Sequence, residues 1–347
     1  MKCILDLDKE QLRVYFQSIG QPDFRCKQVW HGLYGSYLDT WEQFTVLPLE
    51  LRQQLAQDFT ISPLREIDCI QSPDGFTKKV LFQLPSENPL ESVLMHYEDR
   101  VSICISSQSG CSIGCEFCAT GKLGWKQDLS SGEIIAQILY FASELNADQQ
   151  KITNIVIMGM GEPFLNYEQV KKAILTMNDH DGLNIGSRRI TVSTIGIPQQ
   201  IIQFAHDFSQ VNLAVSLHAS TNEQRNKLIP INKKYPIEDI VSAVKQYITI
   251  TNRRVTFEYV MIAGFNDSAE DANQLGRILQ GLLCHVNLIP LNNTAHFNQN
   301  PPAHEKIEKF QRILNDHHIP ATIRFSKGTQ IQAGCGQLAG KHGRARA

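Results

Sequence analysis

The stretch Ser109-Gly-Cys-Ser-Ile-Gly-Cys-Glu-Phe-Cys-Ala-Thr-Gly121 places Cys111, Cys115 and Cys118 at a C-x3-C-x2-C spacing, shortly after the apolar run Val101–Ile105. Three thiolates can ligate three irons of a cubane 4Fe-4S cluster and leave the fourth iron open for a substrate. A zinc site needs a fourth ligand, and no fourth Cys or His lies within the cassette. The spacing therefore favours a catalytic iron–sulfur site over a zinc knuckle or incidental buried cysteines.

Length and composition fit one α/β barrel with an appendage, because the chain has 347 residues and 42% of them are hydrophobic. No apolar run is long enough to cross a bilayer, and Met1–Asp8 carries acids where a signal peptide is apolar. We therefore expect a cytoplasmic protein with no membrane partner. In that compartment nine unevenly spaced cysteines indicate metal-binding, catalytic or buried thiols rather than a disulfide framework.

The net charge of −2 gives no overall sign of a polyanionic partner. Local basic groups exist, and each is interpreted as solvated surface charge, with phosphate contact as the alternative. They are Lys78-Lys79, Arg188-Arg189, Lys233-Lys234, Arg253-Arg254 and the tail Lys341-His-Gly-Arg-Ala-Arg346.

From Val101 onward, short β-branched runs alternate with longer amphipathic stretches. The predicted strands are Val101–Ile105, Asn154–Met158, Ile190–Ser193, Asn212–Leu217, Val255–Ile262 and Cys284–Ile289, with Ala321–Phe325 at an edge. The predicted helices are Gly132–Glu144, Tyr167–Met177, Pro198–Asp207, Ile237–Thr249, Glu270–Leu282 and Glu305–Asp316. Six βα units in a row imply a parallel sheet with right-handed crossovers, either doubly wound or bent into a partial barrel.

The first 95 residues differ from this pattern and are predicted to form a small helical accessory domain followed by a linking hairpin. An aromatic-rich helical hairpin is expected around Trp30, Tyr34, Tyr37 and Trp41, with most of these rings in the core rather than stacked on bases. A third helix is predicted over Pro48–Phe59, and alternation near residues 78–84 predicts strands. The domain boundary is therefore placed between residues 95 and 96, with the catalytic core over residues 96–347.

Polar and glycine-rich segments follow the strands, at the edge where parallel sheets bind ligands. A carboxylate at Glu162 suits an ammonium group, and Gly161 allows close backbone approach. Each residue is a weak signal alone, since a tight turn or a solvated loop explains it equally well, but a shared edge favours one site. The candidate binding residues are Gly161, Glu162, Ser193, Ser216, Leu217, His218 and Asn292.

Two further cysteines stand out. Cys104 lies inside Val101–Ile105, the first predicted strand of the βα pattern, and Cys335 lies between Gly334 and Gly336 after the last strand. A thiol flanked by glycines is poorly explained as core packing, because it can move and approach a substrate closely.

The cassette spacing resembles the signature of the radical S-adenosylmethionine (SAM) enzymes, and the chain as a whole resembles the RlmN/Cfr family of radical SAM RNA methyltransferases. The likeness extends from about Pro22 to Leu338. Its ordered motifs are Cys104–Cys111, Met158–Asn166, Val215–His218, Val286–Pro290 and Cys335–Leu338.

The resemblance implies a radical SAM partial (β/α)6 barrel, one 4Fe-4S cluster held by the three cassette cysteines, and SAM bound at the open iron. It implies two SAM molecules per turnover: one methylates Cys335, and the other gives a 5′-deoxyadenosyl radical that removes hydrogen from this methyl group. Cys104 then helps to resolve the protein–RNA adduct and leaves a Cys104–Cys335 disulfide, while Glu91 matches the family position of a proton acceptor. Without the resemblance, Glu91 is only one acidic residue in a predicted hairpin, and the simpler interpretation is that its side chain is solvated at the surface.

The implied site of methylation is a ring carbon of adenine. The adenine base must leave its stack in the RNA to reach such a buried site. The implied target is carbon 2 of adenosine 2503 in 23S rRNA, with adenosine 37 of tRNAs as a second target and a flavodoxin-like protein as electron donor. The Glu-Pro and Leu-Asn of Met158–Asn166 favour carbon 2 over carbon 8, the position that Cfr-type enzymes methylate to confer ribosomal antibiotic resistance. Residues 324–330 depart from the usual basic loop before the terminal cysteine.

Two other classes stay open at this point. A radical SAM enzyme that acts on a peptide or small molecule, such as an activase, shares the cassette but has no need of Cys104 and Cys335. A non-enzymatic iron–sulfur or zinc RNA-binding module would not cleave SAM.

Overall fold

The computed structural model describes residues 2–340, so the basic tail Lys341–Arg346 lies outside the described residues. The first segment, residues 2–60, is mainly helical. Two short strands pair in parallel at its base. Its elements are β1 (Lys2–Cys3), α1 (Lys9–Ser18), α2 (Asp23–Tyr34), α3 (Leu49–Asp58) and β2 (Phe59–Thr60).

The aromatic residues of this segment pack as predicted but do not form a helical hairpin. Trp30, Tyr34 and Trp41 are all at least 94% buried. The prediction of a second helix here is wrong, because α2 ends at Tyr34, Tyr37 adopts φ of 57°, and Trp41 opens only a short 3-10 turn. A left-handed residue interrupts helical hydrogen bonding.

Three antiparallel strands follow and form a meander: β3 (Arg65–Gln71), β4 (Thr77–Gln83) and β5 (Pro89–His96). We refer to β4 and β5 as the extension hairpin. β5 pairs antiparallel with the next strand, β6 (Val101–Ile105), so these strands extend the sheet of the barrel. The division at residue 95 stays a prediction about folding units.

The remainder alternates strands and helices. After β6 come β7 (Gln108–Ser109), α4 (Ala119–Leu123), β8 (Gln127–Asp128), α5 (Ser131–Ala147), β9 (Asn154–Ile157), α6 (Tyr167–Asn178), β10 (Ile190–Thr194), α7 (Pro198–Asp207), β11 (Asn212–Ser216), α8 (Asn222–Leu228), α9 (Ile237–Thr251), β12 (Val255–Met261), α10 (Ala269–Leu279), β13 (Cys284–Pro290), α11 (His304–Asp316) and β14 (Ala321–Ile323). Two of these helices start at capping residues that the sequence shows: Ser130 with Glu133 and Ser268 with Asp271 form reciprocal capping boxes at α5 and α10.

Strand order decides between the two arrangements that the sequence left open. The main sheet runs β14-β13-β12-β11-β10-β9-β6-β5-β4-β3, and each barrel strand pairs in parallel with the next one in the chain. Sequential order with right-handed crossovers places all helices on one face, whereas a doubly wound sheet reverses direction midway. The sheet is therefore a partial (β/α)6 barrel, and the carboxyl ends of its strands share one rim.

Candidate active site

One cavity at this rim gathers most of the side chains singled out from the sequence. It is lined by loops that follow β6, β9, β10, β11 and β14. The predicted residues in its wall are Cys104, Cys111, Cys115, Cys118, Gly161, Glu162, Ser193, Ser216, His218 and Cys335. Leu217, Asn292 and Glu91 are not in this wall.

The three cassette cysteines carry free thiols. A tight turn holds two of them, because the Cys118 amide donates to the Cys115 carbonyl at 3.1 Å. Among residues 2–340, no group of three His, Cys, Asp or Glu side chains is close enough to hold a single metal ion. In a cubane each thiolate binds a different iron, so separated thiols that face one cavity fit a cluster better than one zinc ion.

The surroundings of Cys111 and Cys115 disfavour bare thiolates. Burial raises the pKa of Cys111 to about 12, and it raises the pKa of Cys115 well above the ordinary value. A cationic iron–sulfur core would supply the positive charge that stabilises ligating thiolates. The donor set and its burial therefore fit a bound 4Fe-4S cluster.

Gly161 and Glu162 form a tight turn after β9. Gly161 has φ of +100°, and a Cβ there would lie 2.5 Å from the Cβ of Gln108, so the close approach requires glycine. The Glu162 carboxylate accepts hydrogen bonds from Thr194 Oγ1 at 2.7 Å and from the amides of Ile195 at 2.8 Å and Phe164 at 3.0 Å. Burial raises the pKa of Glu162 to about 7 despite these bonds. A cationic group in the cavity would pair with this carboxylate and favour its ionised form.

Ser193 in β10, Ser216 in β11 and His218 just after β11 line the same cavity as the turn that contains Glu162. The two serine hydroxyls are 3.5 Å apart. His218 has φ of +59°, and its Nδ1 accepts the Val260 amide hydrogen at 3.0 Å. Burial lowers the pKa of His218 to about 3, so the ring is neutral and its remaining proton is on Nε2, the other ring nitrogen.

Arg225 organises these loops, although nothing in the sequence distinguishes it from a surface arginine. Its guanidinium is fully buried and donates to the carbonyls of Ile195, Ser216 and Leu217. It therefore ties the loop after β10 to the loop after β11. Leu217 lies behind the wall, in the main apolar core, and contributes its carbonyl to this contact rather than a side chain to the cavity.

Cys335 and Cys104 both face the cavity with free thiols. Burial raises the pKa of Cys104 to about 12, and the nearby Cys335 thiolate adds to that shift. Desolvation in the cavity also raises the pKa of Cys335, and the Arg324 guanidinium opposes this shift. The Cys335 thiolate is therefore close enough to Cys104 to raise the pKa of the Cys104 thiol.

The segment Gln332–Gly340, which we call the thiol loop, is held against several elements. Asn292 donates to the Cys335 carbonyl at 2.9 Å, and Gln337 donates to the Asn293 carbonyl at 2.8 Å. Thr120, on the short helix after the cassette, donates to the Leu338 carbonyl at 2.7 Å. Asn292 thus supports the thiol loop from outside the cavity, and its predicted contact with SAM stays a prediction.

Glu91 is fully buried, so the interpretation of Glu91 as a solvated surface acid is wrong. One carboxylate oxygen lies 2.9 Å from Lys79 Nζ, and the other accepts the Gly340 amide hydrogen at 2.8 Å. Lys79 is only 4% exposed, so the surface interpretation of its basic pair is also wrong for this residue. Sequence offers no local signal for such a pair, because its partners lie on different strands.

The mouth of the cavity combines aromatic rings and cations. Tyr97, Arg324, Phe325 and Lys327 belong to its wall. Lys327 Nζ lies 4.4 Å from the centre of the Tyr97 ring and 5.2 Å from that of Phe76. Phe325 in the wall is 65% exposed, and Phe76, which lies outside the wall beside Lys327, is 53% exposed.

No helix among residues 2–340 is both long and apolar enough to span a bilayer.

A family model of the radical SAM superfamily matches residues 105–275, and a model of the ribosomal RNA large subunit methyltransferase N-terminal domain matches residues 3–61.

Relatives match the chain almost end to end. A protein of Chloroflexus aurantiacus, described as "Probable dual-specificity RNA methyltransferase RlmN", is 42% identical over 98% of this chain and 93% of its own length. A protein of Geobacillus thermodenitrificans with the same description is 44% identical over 98% of this chain and 93% of its own length. The crystal structure of a radical SAM methyltransferase from Sphaerobacter thermophilus matches with a TM-score of 0.97 and 43% identity, over 98% of this chain and 100% of the other. The chain therefore belongs to the RlmN family of radical SAM RNA methyltransferases, enzymes that use a 4Fe-4S cluster and SAM to methylate RNA.

Proposed function

We propose that this enzyme methylates carbon 2 of adenosine, with adenosine 2503 of 23S rRNA and adenosine 37 of tRNAs as targets, through a methyl group carried on Cys335. The observation that supports this most directly is the position of Cys335 and Cys104: both free thiols face the cavity that contains the three cassette cysteines. A radical SAM enzyme for peptides or small molecules has no use for such a pair.

The chemistry of the ring explains why a carrier is needed. An adenine ring carbon is electron-poor and cannot attack the methyl group of SAM as a nitrogen or oxygen would. We assign the three cassette cysteines as cluster ligands, and Glu162, Gly161, Ser193, Ser216 and His218 as the wall that positions SAM. When bound, the cluster supplies the electron that cleaves SAM to an adenosyl radical, with a flavodoxin-like protein as the external donor.

Cys335 acts twice in this scheme, which therefore consumes two SAM molecules per turnover. Its thiolate first displaces the sulfonium of one SAM and takes the methyl group. After the second SAM has been cleaved, its 5′-deoxyadenosyl radical takes a hydrogen atom from the methyl group and becomes 5′-deoxyadenosine. The methylene radical left on Cys335 adds to the adenine ring. The unpaired electron of the adduct would pass back to the cluster that supplied it, and the ring carbon loses its proton to an acceptor. The Cys104 thiolate then attacks the Cys335 sulfur, and the electron pair of the carbon–sulfur bond leaves with the carbon, which takes up a proton to become the methyl group on the ring. The resulting disulfide must be reduced before the next turnover.

Glu91 is the proton acceptor in this proposal by family resemblance alone. In this arrangement one of its oxygens lies 2.9 Å from Lys79 Nζ and the other accepts the Gly340 amide hydrogen.

RNA as substrate fits the mouth of the cavity. Exposed Phe325 and Phe76 can stack on an unpaired base, and Lys327 and Arg324 can contact phosphate. The description of the Chloroflexus and Geobacillus relatives as dual-specificity enzymes supports two RNA targets. Both RNA classes are cytoplasmic, and we propose that the enzyme acts there.

The test is to replace Cys335 with Ala and measure two activities. We expect reductant-dependent SAM cleavage to persist and RNA methylation to fall below detection, because only the carrier is lost. Cys69→Ala, on the exposed outer strand β3, is the matched control and should retain both activities.

Mass spectrometry of rRNA and tRNA adenosines from a deletion strain, with and without the wild-type gene, identifies carbon and substrate. Loss of 8-methyladenosine rather than 2-methyladenosine would contradict the assignment of the carbon. Methylation by Cys335→Ala would contradict the carrier.

A further inference from the structure

Lys79 and Glu91 form a buried ion pair across the extension hairpin. Lys79 on β4 is opposite Val93, and Glu91 on β5 is opposite Leu81, so the two side chains are diagonal neighbours on one face of the sheet. Lys79 Nζ and Glu91 Oε1 are 2.9 Å apart, and the side chains are 5% and 0% exposed. Taking both charges out of water is costly, so further contacts must contribute to keeping them buried.

Those further contacts go to the two ends of the thiol loop. Lys79 Nζ donates to the Gln332 carbonyl at 3.3 Å, and Glu91 Oε2 accepts the Gly340 amide hydrogen at 2.8 Å. Gln332 and Gly340 lie on either side of Cys335 in sequence. One ion pair therefore holds the loop both before and after its thiol.

Gly340 is suited to this contact by its lack of a side chain. A Cβ at this position would lie 2.9 Å from Cγ of Pro89, the first residue of β5, and the backbone has φ of +60°. Glycine thus allows the loop backbone to come within hydrogen-bonding reach of a buried carboxylate.

Apolar packing of the loop on the same face is limited. Val93 of β5 packs with Met160, Ala333 and Leu338 in a small cluster that is separate from the main core. The partly buried side chains Met95, Cys104, Leu123 and Ile331 pack against this cluster, which is still much smaller than the main core, so polar contacts add to what holds the loop in place. Elements with few buried apolar contacts are those that open most readily.

We propose that the Lys79–Glu91 pair is a clamp that fixes the thiol loop on the extension hairpin and so sets the position of Cys335 in the cavity. Lys79 is then a positioning residue for methyl transfer. The inference rests on the proposed role of Cys335 as methyl carrier, and it adds a device that the carrier needs. The carrier must be held steady while it takes a methyl group, yet must be able to move when it meets Cys104.

The first test removes the cation with Lys79→Met, which keeps the length of the side chain. Glu91 Oε1 accepts no hydrogen bond from residues 2–340 and has the Lys79 ammonium 2.9 Å away as its ion-pair partner, so the substitution leaves this buried carboxylate without its cation. We expect amide exchange over residues 332–340 to accelerate by about tenfold or more, because the loop loses its contact with Lys79 and the carboxylate that accepts the Gly340 amide hydrogen loses its cation. The contacts made by Asn292, Gln337 and Thr120 remain. Alkylation of Cys335 by a maleimide should accelerate, and S-methylation of Cys335 by added SAM should slow by about tenfold.

Lys78→Met is the matched control. Lys78 neighbours Lys79 in the chain but pairs with Glu144 on α5, at a half-exposed site away from the loop. It should leave loop exchange and Cys335 methylation unchanged.

A double variant, Lys79→Met/Glu91→Leu, separates positioning from simple stability. Replacing a whole buried ion pair with apolar side chains avoids an unpaired charge and commonly preserves the fold. We expect native-like thermal unfolding together with rapid loop exchange and slow Cys335 methylation. If the folded double variant protects residues 332–340 as the wild type does, the clamp proposal is wrong.

The readouts also distinguish this proposal from the carrier proposal. Absence of S-methylcysteine at position 335 in wild-type enzyme treated with SAM would overturn the carrier, whereas loop exchange reports on the clamp whether or not Cys335 is methylated.

Discussion

Cysteines in this chain divide by location into those that face the cavity and those that do not. Cys104, Cys335 and the three cassette cysteines line it. Cys26 and Cys284 are buried elsewhere, and Cys69 is exposed on β3. Five of the nine cysteines therefore share one rim, and the exposed Cys69 serves as a control for substitution.

The cassette makes a direct prediction. Cys118→Ala should abolish cluster assembly, because two thiolates cannot hold the cubane that three hold. Iron content and visible absorbance after anaerobic reconstitution measure this, with Cys69→Ala as control. Unchanged iron content in Cys118→Ala would show that Cys118 is not a ligand.

Glu162 predicts a pH dependence of SAM binding. Its pKa is raised to about 7 by burial, so the carboxyl is largely neutral below that pH and charged above it. Affinity for the ammonium group of SAM should rise by about tenfold between about pH 6 and about pH 8, as the ionised fraction grows. Calorimetric titration of wild type and Glu162→Gln checks this, and equal pH profiles would refute it.

At this scale the sequence identified groups whose spacing or setting is unusual. The cassette and the glycine-flanked Cys335 are of that kind. Arg225 and Lys79 could not be found, because a buried cation and a surface cation are identical in sequence and differ only in partners supplied by distant strands.

Among the elements, local patterns carried most of the information. The predicted strand Val101–Ile105 and helix Pro198–Asp207 agree with the structure to the residue. The predicted helix Glu270–Leu282 ends early, at Leu279, and Gly281 nearby has φ of +77°. Apolar periodicity reports such segments well because it depends on neighbours in the chain.

Which strands pair with each other is harder to predict from the sequence. The extension hairpin joins the barrel sheet through the contact of β5 with β6, which the alternating pattern of either strand does not specify. Likewise, sequence left both a doubly wound sheet and a partial barrel open, since the βα units are the same in each and only strand order differs.

The mouth of the cavity and its surroundings combine the turn before β4, the loop after β5 and the loop after β14. We expect substitutions there to weaken RNA binding. Phe325→Ala and Lys327→Gln should each raise the KM for RNA by about tenfold, because stacking and a phosphate contact are lost. SAM cleavage in the absence of RNA should not change.

Two comparisons make this test specific. Phe325→Trp should retain the wild-type KM, because it keeps a stacking surface. Lys234→Gln removes another cation over an aromatic ring, 5.0 Å from the centre of Tyr235 and outside the active-site cavity, and should have no effect. An equal rise in KM for Lys234→Gln would mean that charge in general, rather than the mouth, governs RNA binding.

For the whole molecule, bulk charge gave no indication of an RNA partner. A net charge of −2 coexists with cations gathered around one opening, so the electrostatic attraction is local. The order of motifs along the chain was the more informative signal, because each motif follows a different strand and the partial barrel brings strand ends together at one rim.

Because Cys104 and Cys335 line one cavity, they can protect each other from irreversible oxidation by peroxide. An opening that admits a nucleobase also admits hydrogen peroxide, which converts an accessible thiol to a sulfenic acid with release of water. A second thiol within reach condenses with that acid and halts further, irreversible oxidation. The bond so formed is the one proposed to arise in every catalytic cycle, so the reductant that resets the enzyme would also repair it.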